Sequence, residues 1–347
     1  MDKKTIAVIF GGCSTEYEVS LQSACSVLAN LDAEKYEAVK IGITRQGDWY
    51  RYNGGIAQIQ NDSWHRDGGN LTPAAVSQSR TRPGLLELRP EGIKRIRLDL
   101  AFPVLHGKNG EDGTVQGLFE LAGIPVVGCG TLSSALCMDK DLAHRLAAGA
   151  GIAVPKSVTL SRCSTEDLRE AVKGLAYPLF VKPARAGSSF GITKISGEAE
   201  LKPALRLALE HDDKVVIEEG IDGFEVGCAV LGTKELLVGR VDEIELTDGF
   251  FDYTEKYTLK TSSIHMPARI SREDEERIQE AAKTIYRALE CSGFARVDMF
   301  FNGAGEIVFN EVNTIPGFTA HSRYPNMMKG IGLTFGELLD RLLGLYE

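Results

Sequence analysis

No apolar run in these 347 residues approaches the roughly 20 that a membrane-spanning helix needs, which argues against a membrane protein. Met1-Asp2-Lys3-Lys4-Thr5 leads straight into a strand-like run, so no secretory leader and a cytoplasmic location are expected. Positive charge is not in excess. Lys and Arg number 39 against 48 Asp and Glu, and the net charge of −9 argues against a general nucleic-acid binder. The seven cysteines lack CxxC spacing, so neither zinc nor a disulfide framework is indicated; each reads as a small buried hydrophobe in a reducing compartment. GxxxxGK[ST] is absent, which argues against a P-loop NTPase, and the first Gly turn carries no GxGxxG dinucleotide signal. Internal repeats and low-complexity tracts are missing too.

What remains is an ordinary globular composition, 43% hydrophobic and 25% charged. The length suits about two to three domains. Thr5–Phe10, Gly11-Gly12 and Val19–Leu31 read as strand, turn and helix, the opening of an α/β domain. Ser14 or Thr15 with Glu18 offers a capping box for that helix, whose N-terminus could also hold an anion. Asp99–Leu105 and Pro125–Val127 read as further strands, with a helix ending near Ala122 between them. Residues 45–97 read as a β-rich surface excursion. A helix from about Lys140 to Ala150 opens a second unit. Strands Leu179–Lys182 and Gly191–Ile195 follow, then helix Glu198–His211 and strand Val215–Glu219. The third unit holds strands Glu225–Leu231 and Leu236–Ile244, a long loop from Glu245 to Ser263, helix Arg272–Cys291, a hairpin and a last helix Thr334–Tyr346.

The hairpin carries the most chemistry. Phe294–Phe301 and Glu306–Val312 pair across the turn Asn302-Gly303-Ala304-Gly305. Residues i and i+2 of a strand share a face, so Glu311 and Asn313 point the same way and Asp298 can join them. Three hard oxygen ligands without His or Cys suit Mg²⁺, and a Mg²⁺ with few protein ligands commonly also holds nucleotide phosphates. Arg296 shares the face of Asp298 and can stabilise developing negative charge. The Gly/Ser loop after Lys182, KPARAGSSFG, suits either a phosphate cradle or a plain flexible hairpin. Glu218, Glu219 and Glu225 around a strand end suit an adenine amino group and ribose hydroxyls, or simply a solvated strand end. The aromatic and charged stretch Gly249–Tyr257 inside the long loop suits a lid.

Taken together and in order, GGCSTEYEVS, HGKNGEDGTVQG, MDK, KPARAGSSFG, FFDYTEKY, ARVD and NEVNTIPGFTAHS resemble the D-alanine–D-alanine ligase family of ATP-grasp enzymes over nearly the whole chain. Within it they look like the vancomycin-resistance D-alanine–D-serine ligases of the VanG type. The resemblance implies an α/β ATP-grasp fold. Residues 1–133 would form a Rossmann-like N-terminal substrate domain. Residues 134–219 and 220–347 would be two α+β subdomains clasping ATP. It further implies that Lys140, Lys182 and Ser189 contact ATP phosphates, with Lys256 near the γ-phosphate. Glu218, Glu219 and the Ile221 backbone would hold adenine, and Glu225 the ribose. Asp298, Glu311 and Asn313 would bind two Mg²⁺, or Mn²⁺ in their place. Glu16 would accept the ammonium of the first D-alanine, near His106. Glu16, Ser188 and Tyr257 would shape the second subsite, and Arg296 with the Gly317 N–H would receive the oxyanion. A homodimer is implied as well.

Two departures from the family pattern bear on the second substrate. Phe251 stands where Tyr is usual. Arg323, next to Ser322, stands where Leu is usual. An aliphatic side chain packs on a methyl group, whereas Arg brings donors that can meet a hydroxyl. D-Serine is therefore the expected second substrate and D-alanine the alternative. The plainer expectation for Arg323 is pairing with a nearby acid. Retention of Tyr257 speaks for an amine nucleophile rather than D-lactate.

Overall fold

The computed structural model describes residues 3–161, 168–187, 190–246 and 262–346. Among the described residues the strands form three sheets. The first contains β1 (Lys4–Gly11), β2 (Tyr36–Ile43), β3 (Trp49–Tyr52), β4 (Leu71–Ser77), β5 (Gly84–Arg89), β6 (Gly92–Ile96) and β7 (Leu100–Pro103), in the order β6-β5-β4-β3-β2-β1-β7. β2, β1 and β7 are parallel, and the remainder extend the sheet antiparallel. β1 is buried continuously because parallel neighbours flank it and helices cover both faces. Its Ile6, Val8 and Phe10 pack toward helices Tyr17–Asn30 and Phe335–Gly344, while Ala7 and Ile9 pack toward helix Thr114–Ala122.

The second sheet joins β8 (Ser157–Ser161), β9 (Leu179–Pro183), β10 (Thr193–Ile195) and β11 (Lys214–Glu219), ordered β10-β9-β11-β8 and antiparallel throughout. Helix Glu198–His211 covers it with Leu201, Ala204, Leu205 and Ala208. The third sheet is ordered β14-β13-β12-β15-β16, with β12 (Gly223–Gly232), β13 (Leu236–Leu246), β14 (Ser262–His265), β15 (Gly293–Asn302) and β16 (Ile307–Asn313). Phe102 of the first sheet meets Phe294 of the third edge-on, and Phe318 and Tyr324 complete that aromatic cluster. The cluster packs the β15–β16 hairpin against the N-terminal sheet. No described helix is long and apolar enough to cross a membrane.

Several expectations change. Pro125–Val127 is not a strand; only Val126 bridges to Ala101. Residues 45–97 are β-rich and end in the exposed edge strand β6, but they continue the first sheet and bury Tyr52, Ile59 and Trp64 completely. The capping box at the first helix does not form. Ser14 Oγ accepts from the Glu16 N–H, and Glu18 pairs with Arg45 instead. Helices Thr131–Met138 and Arg323–Lys329 were not anticipated.

Candidate active site

Pairing of β15 with β16 sets Arg296 opposite Asn313 and Asp298 opposite Glu311. Directly opposed residues of antiparallel strands share a face, so all four side chains converge. Asn313 Nδ2 donates to Asp298 Oδ2 at 2.8 Å. Arg296 donates through Nε to Oδ1 and through Nη2 to Oδ2, each at 2.8 Å. Burial opposes the charge of Arg296, but the carboxylates of Asp298 and Asp242 together raise its pKa above the ordinary value.

Arg323 lies behind this group. Its Nε and Nη2 donate to the two Asp242 oxygens, both at 2.8 Å, and Nη1 donates to Glu225 Oε1 at 2.9 Å. Nη1 also lies 3.4 Å from Asp298 Oδ1. The plainer expectation for Arg323, an acid partner, is thus met, and Glu225 is engaged by it. Asp242 was not singled out from the sequence. Gly227 makes room for the cluster, because a Cβ there would lie 2.3 Å from Arg323 Nη2.

The facing wall comes from the start of helix Lys140–Gly149 and from Ala186 and Gly187 in the loop after β9, with the second sheet behind it. Asp139 caps that helix by accepting from the Leu142 N–H, and it also takes Lys214 Nζ. Lys140 Nζ donates to Ala186 O at 3.0 Å and stands 3.5 Å from Glu311 Oε2. Lys182 on β9 pairs with Glu218 on β11, whose side chains are 9% and 3% exposed. The other oxygen of Glu218, Oε2, is buried without a partner among the described residues. Glu219 points to the other face of β11, where it accepts from the Ala176 N–H.

The third wall comes from the start of helix Tyr17–Asn30 and the loop that follows β7 of the first sheet. Glu16 precedes the first helix, and its Oε2 lies 2.6 Å from where a Gly107 Cβ would be; Gly107 also has φ +70°. Only glycine suits that position. His106 is buried between Ser23 Oγ, 3.1 Å from Nε2, and Ile315 O, 2.8 Å from Nδ1. Burial lowers its pKa below the ordinary value. Glu111, another residue that sequence reasoning passed over, accepts from the backbone N–H of Gly107 and of Ile315. Its place inside HGKNGEDGTVQG was the available signal.

These walls enclose a cavity of about 480 Å³. It brings together Glu16, His106, Lys140, Arg296, Glu311, Asn313, Gly317, Ser322 and Arg323. Asp298 sits beneath Arg296. Lys182, Glu218, Glu219, Ile221 and Glu225 are outside the cavity lining. Ser188, Ser189, Phe251, Lys256 and Tyr257 lie outside the described residues. No three His, Cys, Asp or Glu side chains form a ready metal cage among the described residues. The donor set Asp298, Glu311 and Asn313 nevertheless fits a hard divalent cation in chemistry and in shared face. The unpartnered Glu218 Oε2 fits an amino donor such as that of adenine.

Two family models match the chain: D-ala D-ala ligase N-terminus over residues 5–129, and D-ala D-ala ligase C-terminus over residues 146–344. The structure is similar to that of the VanG D-Ala:D-Ser ligase from Enterococcus faecalis, with 65% identity, a TM-score of 0.94 and complete coverage of both chains. The chain is 46% identical to the vancomycin B-type resistance protein VanB of Enterococcus faecalis, over 99% of each chain. It is 43% identical to a D-alanine–D-alanine ligase of Caldicellulosiruptor bescii, over 99% of this chain and 95% of that one. With both halves matched and the architecture shared end to end, the chain belongs to the D-alanine–D-alanine ligase family and has its ATP-grasp fold.

Proposed function

We propose that this chain is an ATP-dependent ligase joining D-alanine to D-serine and supplying an altered cell-wall precursor of the kind used in vancomycin resistance. The observation that carries the ligase reading is the single cavity holding Glu16, Lys140, Arg296 and Gly317 together. Glu16 receives the ammonium of D-alanine and so orients its carboxylate. That carboxylate is a poor electrophile until phosphorylation gives it a good leaving group. Lys140 and Lys182 neutralise the phosphates of ATP, while Glu218, the Glu219 and Ile221 backbone and Glu225 receive its adenine and ribose. Two Mg²⁺ held by Asp298, Glu311 and Asn313 would screen phosphate charge, and Mn²⁺ would serve in their place. The amine of the second substrate, having lost its proton, attacks the acyl carbon. A C–N bond forms, and the C–O bond to phosphate breaks. Arg296 and the Gly317 N–H take the charge of the tetrahedral oxyanion between these events.

D-Serine as the second substrate is supported by Arg323 in the cavity wall and by the likeness to the VanG D-Ala:D-Ser ligase. One observation favours D-alanine instead: the donors of Arg323 already engage Asp242 and Glu225. A cytoplasmic homodimer, with boundaries near residues 133 and 219, completes the proposal. The test is a competition: purified protein with ATP, Mg²⁺, D-alanine and an equal amount of D-serine, the dipeptides weighed by mass spectrometry. Mostly D-Ala-D-Ser is the expected result. Mostly D-Ala-D-Ala would make this a housekeeping ligase, and no dipeptide would overturn the ligase reading.

A further inference from the structure

The segment Ile315-Pro316-Gly317-Phe318 is held from both ends by Ser23 of helix Tyr17–Asn30 and by His106 and Glu111 of the loop after β7. The Phe318 N–H donates to Ser23 Oγ at 3.2 Å. A hydroxyl has one hydrogen to give, and His106 Nε2 stands 3.1 Å away to accept it. On its other side His106 Nδ1 is 2.8 Å from Ile315 O, a group that can only accept. The network therefore assigns the proton to Nδ1 and a lone pair to Nε2. The neutral ring this requires agrees with the burial that depresses the His106 pKa. Glu111 Oε1 takes the Ile315 N–H at 3.0 Å.

Ile315 is thus fixed at both its backbone groups and Phe318 at its N–H. Between them Pro316 has a fixed φ and no N–H. The Gly317 N–H is left without a partner among the described residues and belongs to the cavity wall. Ser23 is fully buried on helix Tyr17–Asn30 and does not line that cavity.

We propose that Ser23 is a positioning residue: through Phe318 and His106 it aims the Gly317 N–H at the oxyanion. This deepens the ligase reading and rests on it. The competing account is that the aromatic packing of Phe318 against Phe102, Phe294 and Tyr324 holds the segment unaided. Ser23→Ala separates the two, because it deletes the hydroxyl and leaves the aromatic cluster intact.

The experiment compares wild type, Ser23→Ala and Ser23→Cys in the full chain. Three quantities are read: steady-state dipeptide formation, KM for ATP, and the inhibition constant of a phosphinate dipeptide analogue whose tetrahedral centre mimics the oxyanion. Ser23→Ala is expected to lower kcat about 10- to 100-fold, the scale of a misplaced reacting geometry. KM for ATP should hold, and binding of the phosphinate should weaken by a similar factor. Ser23→Cys, a poor donor of similar shape, should fall between, and it decides the matter if the alanine variant does not fold. A variant with wild-type kcat would overturn the proposal. So would a drop in kcat with undiminished phosphinate binding, since a general loosening would give that result. A wild-type chain that forms no dipeptide would overturn the ligase reading together with this one, whereas an active wild type with an indifferent Ser23→Ala sinks this one alone.

Discussion

Arg296 and Asp298, two residues apart on β15, form a two-pronged ion pair in which both carboxylate oxygens are bound. The proposed metal ligand and the proposed oxyanion donor therefore hold each other. A cation held by Asp298 would compete with Arg296 for that carboxylate, and the guanidinium N–H groups so released would be free for the substrate. Asp298→Asn should remove both functions. Dipeptide formation should fall about 100-fold or more, the scale of losing a charge-stabilising group. The Mg²⁺ concentration for half-maximal rate should rise. Activity removed by EDTA should return with Mg²⁺ in the wild type. A variant with an unchanged Mg²⁺ titration would remove Asp298 from the metal set.

Gly227 offers a test of Arg323 that leaves the arginine in place. Its N–H donates to Asp242 Oδ1, and an added Cβ would come within 2.7 Å of that oxygen and 2.3 Å of Arg323 Nη2. Gly227→Ala must push the guanidinium from its seat, at a cost of about 1–3 kcal/mol for overpacking a filled site. The expected result is a modest drop in melting temperature and a shift of product toward D-Ala-D-Ala. An unchanged product ratio in the folded variant would mean that the placement of Arg323 does not set the second substrate.

The β15–β16 hairpin was legible because strand periodicity alone puts Asp298, Glu311 and Asn313 on one face, and the turn between the strands is local. The partners of Arg323 were not, since Asp242 and Glu225 are 81 and 98 residues away and only the β13-β12-β15 order brings them close. The same holds for Ser23, whose contact with Phe318 spans 295 residues. Helix Arg323–Lys329 hid behind Pro325, which reads as a breaker but falls in the first turn, where no intrahelical N–H bond is lost. Helix Thr131–Met138 is short and rich in Ser and Thr, so it shows little periodicity. Trp64 was hidden in a polar stretch. Its indole N–H reaches the Tyr17 hydroxyl, a contact set by tertiary packing.

Lys182 and Glu218 are both nearly enclosed, so removing one partner strands the other's charge. Lys182→Met should cost roughly 3–5 kcal/mol for that reason. Lys182→Met with Glu218→Gln should recover much of this stability, because no charge is then left behind. Binding of ATP should not recover, since the phosphate-neutralising lysine is still missing. Thermal unfolding and the KM for ATP, measured on both variants, separate the two effects. Restored ATP affinity in the double variant would mean that Lys182 serves the fold and not the nucleotide.

Glu111 gives the pH dependence a definite sign. Burial, and then the charge of Glu16, push its carboxyl from the ordinary 4.5 up to about 8, although the Gly107 and Ile315 N–H groups and Arg296 pull the other way. The folded chain therefore keeps a proton that the unfolded chain releases between 4.5 and about 8. Stability linked to Glu111 is complete below the unfolded value and is lost as pH rises through the folded one. Glu111→Gln, which is neutral at every pH, should flatten the fall in melting temperature across that window. Calorimetry on the two proteins at matched ionic strength measures the difference in slope. Parallel curves would mean that the Glu111 carboxyl ionises near its ordinary value, with its charge held by the two backbone N–H groups.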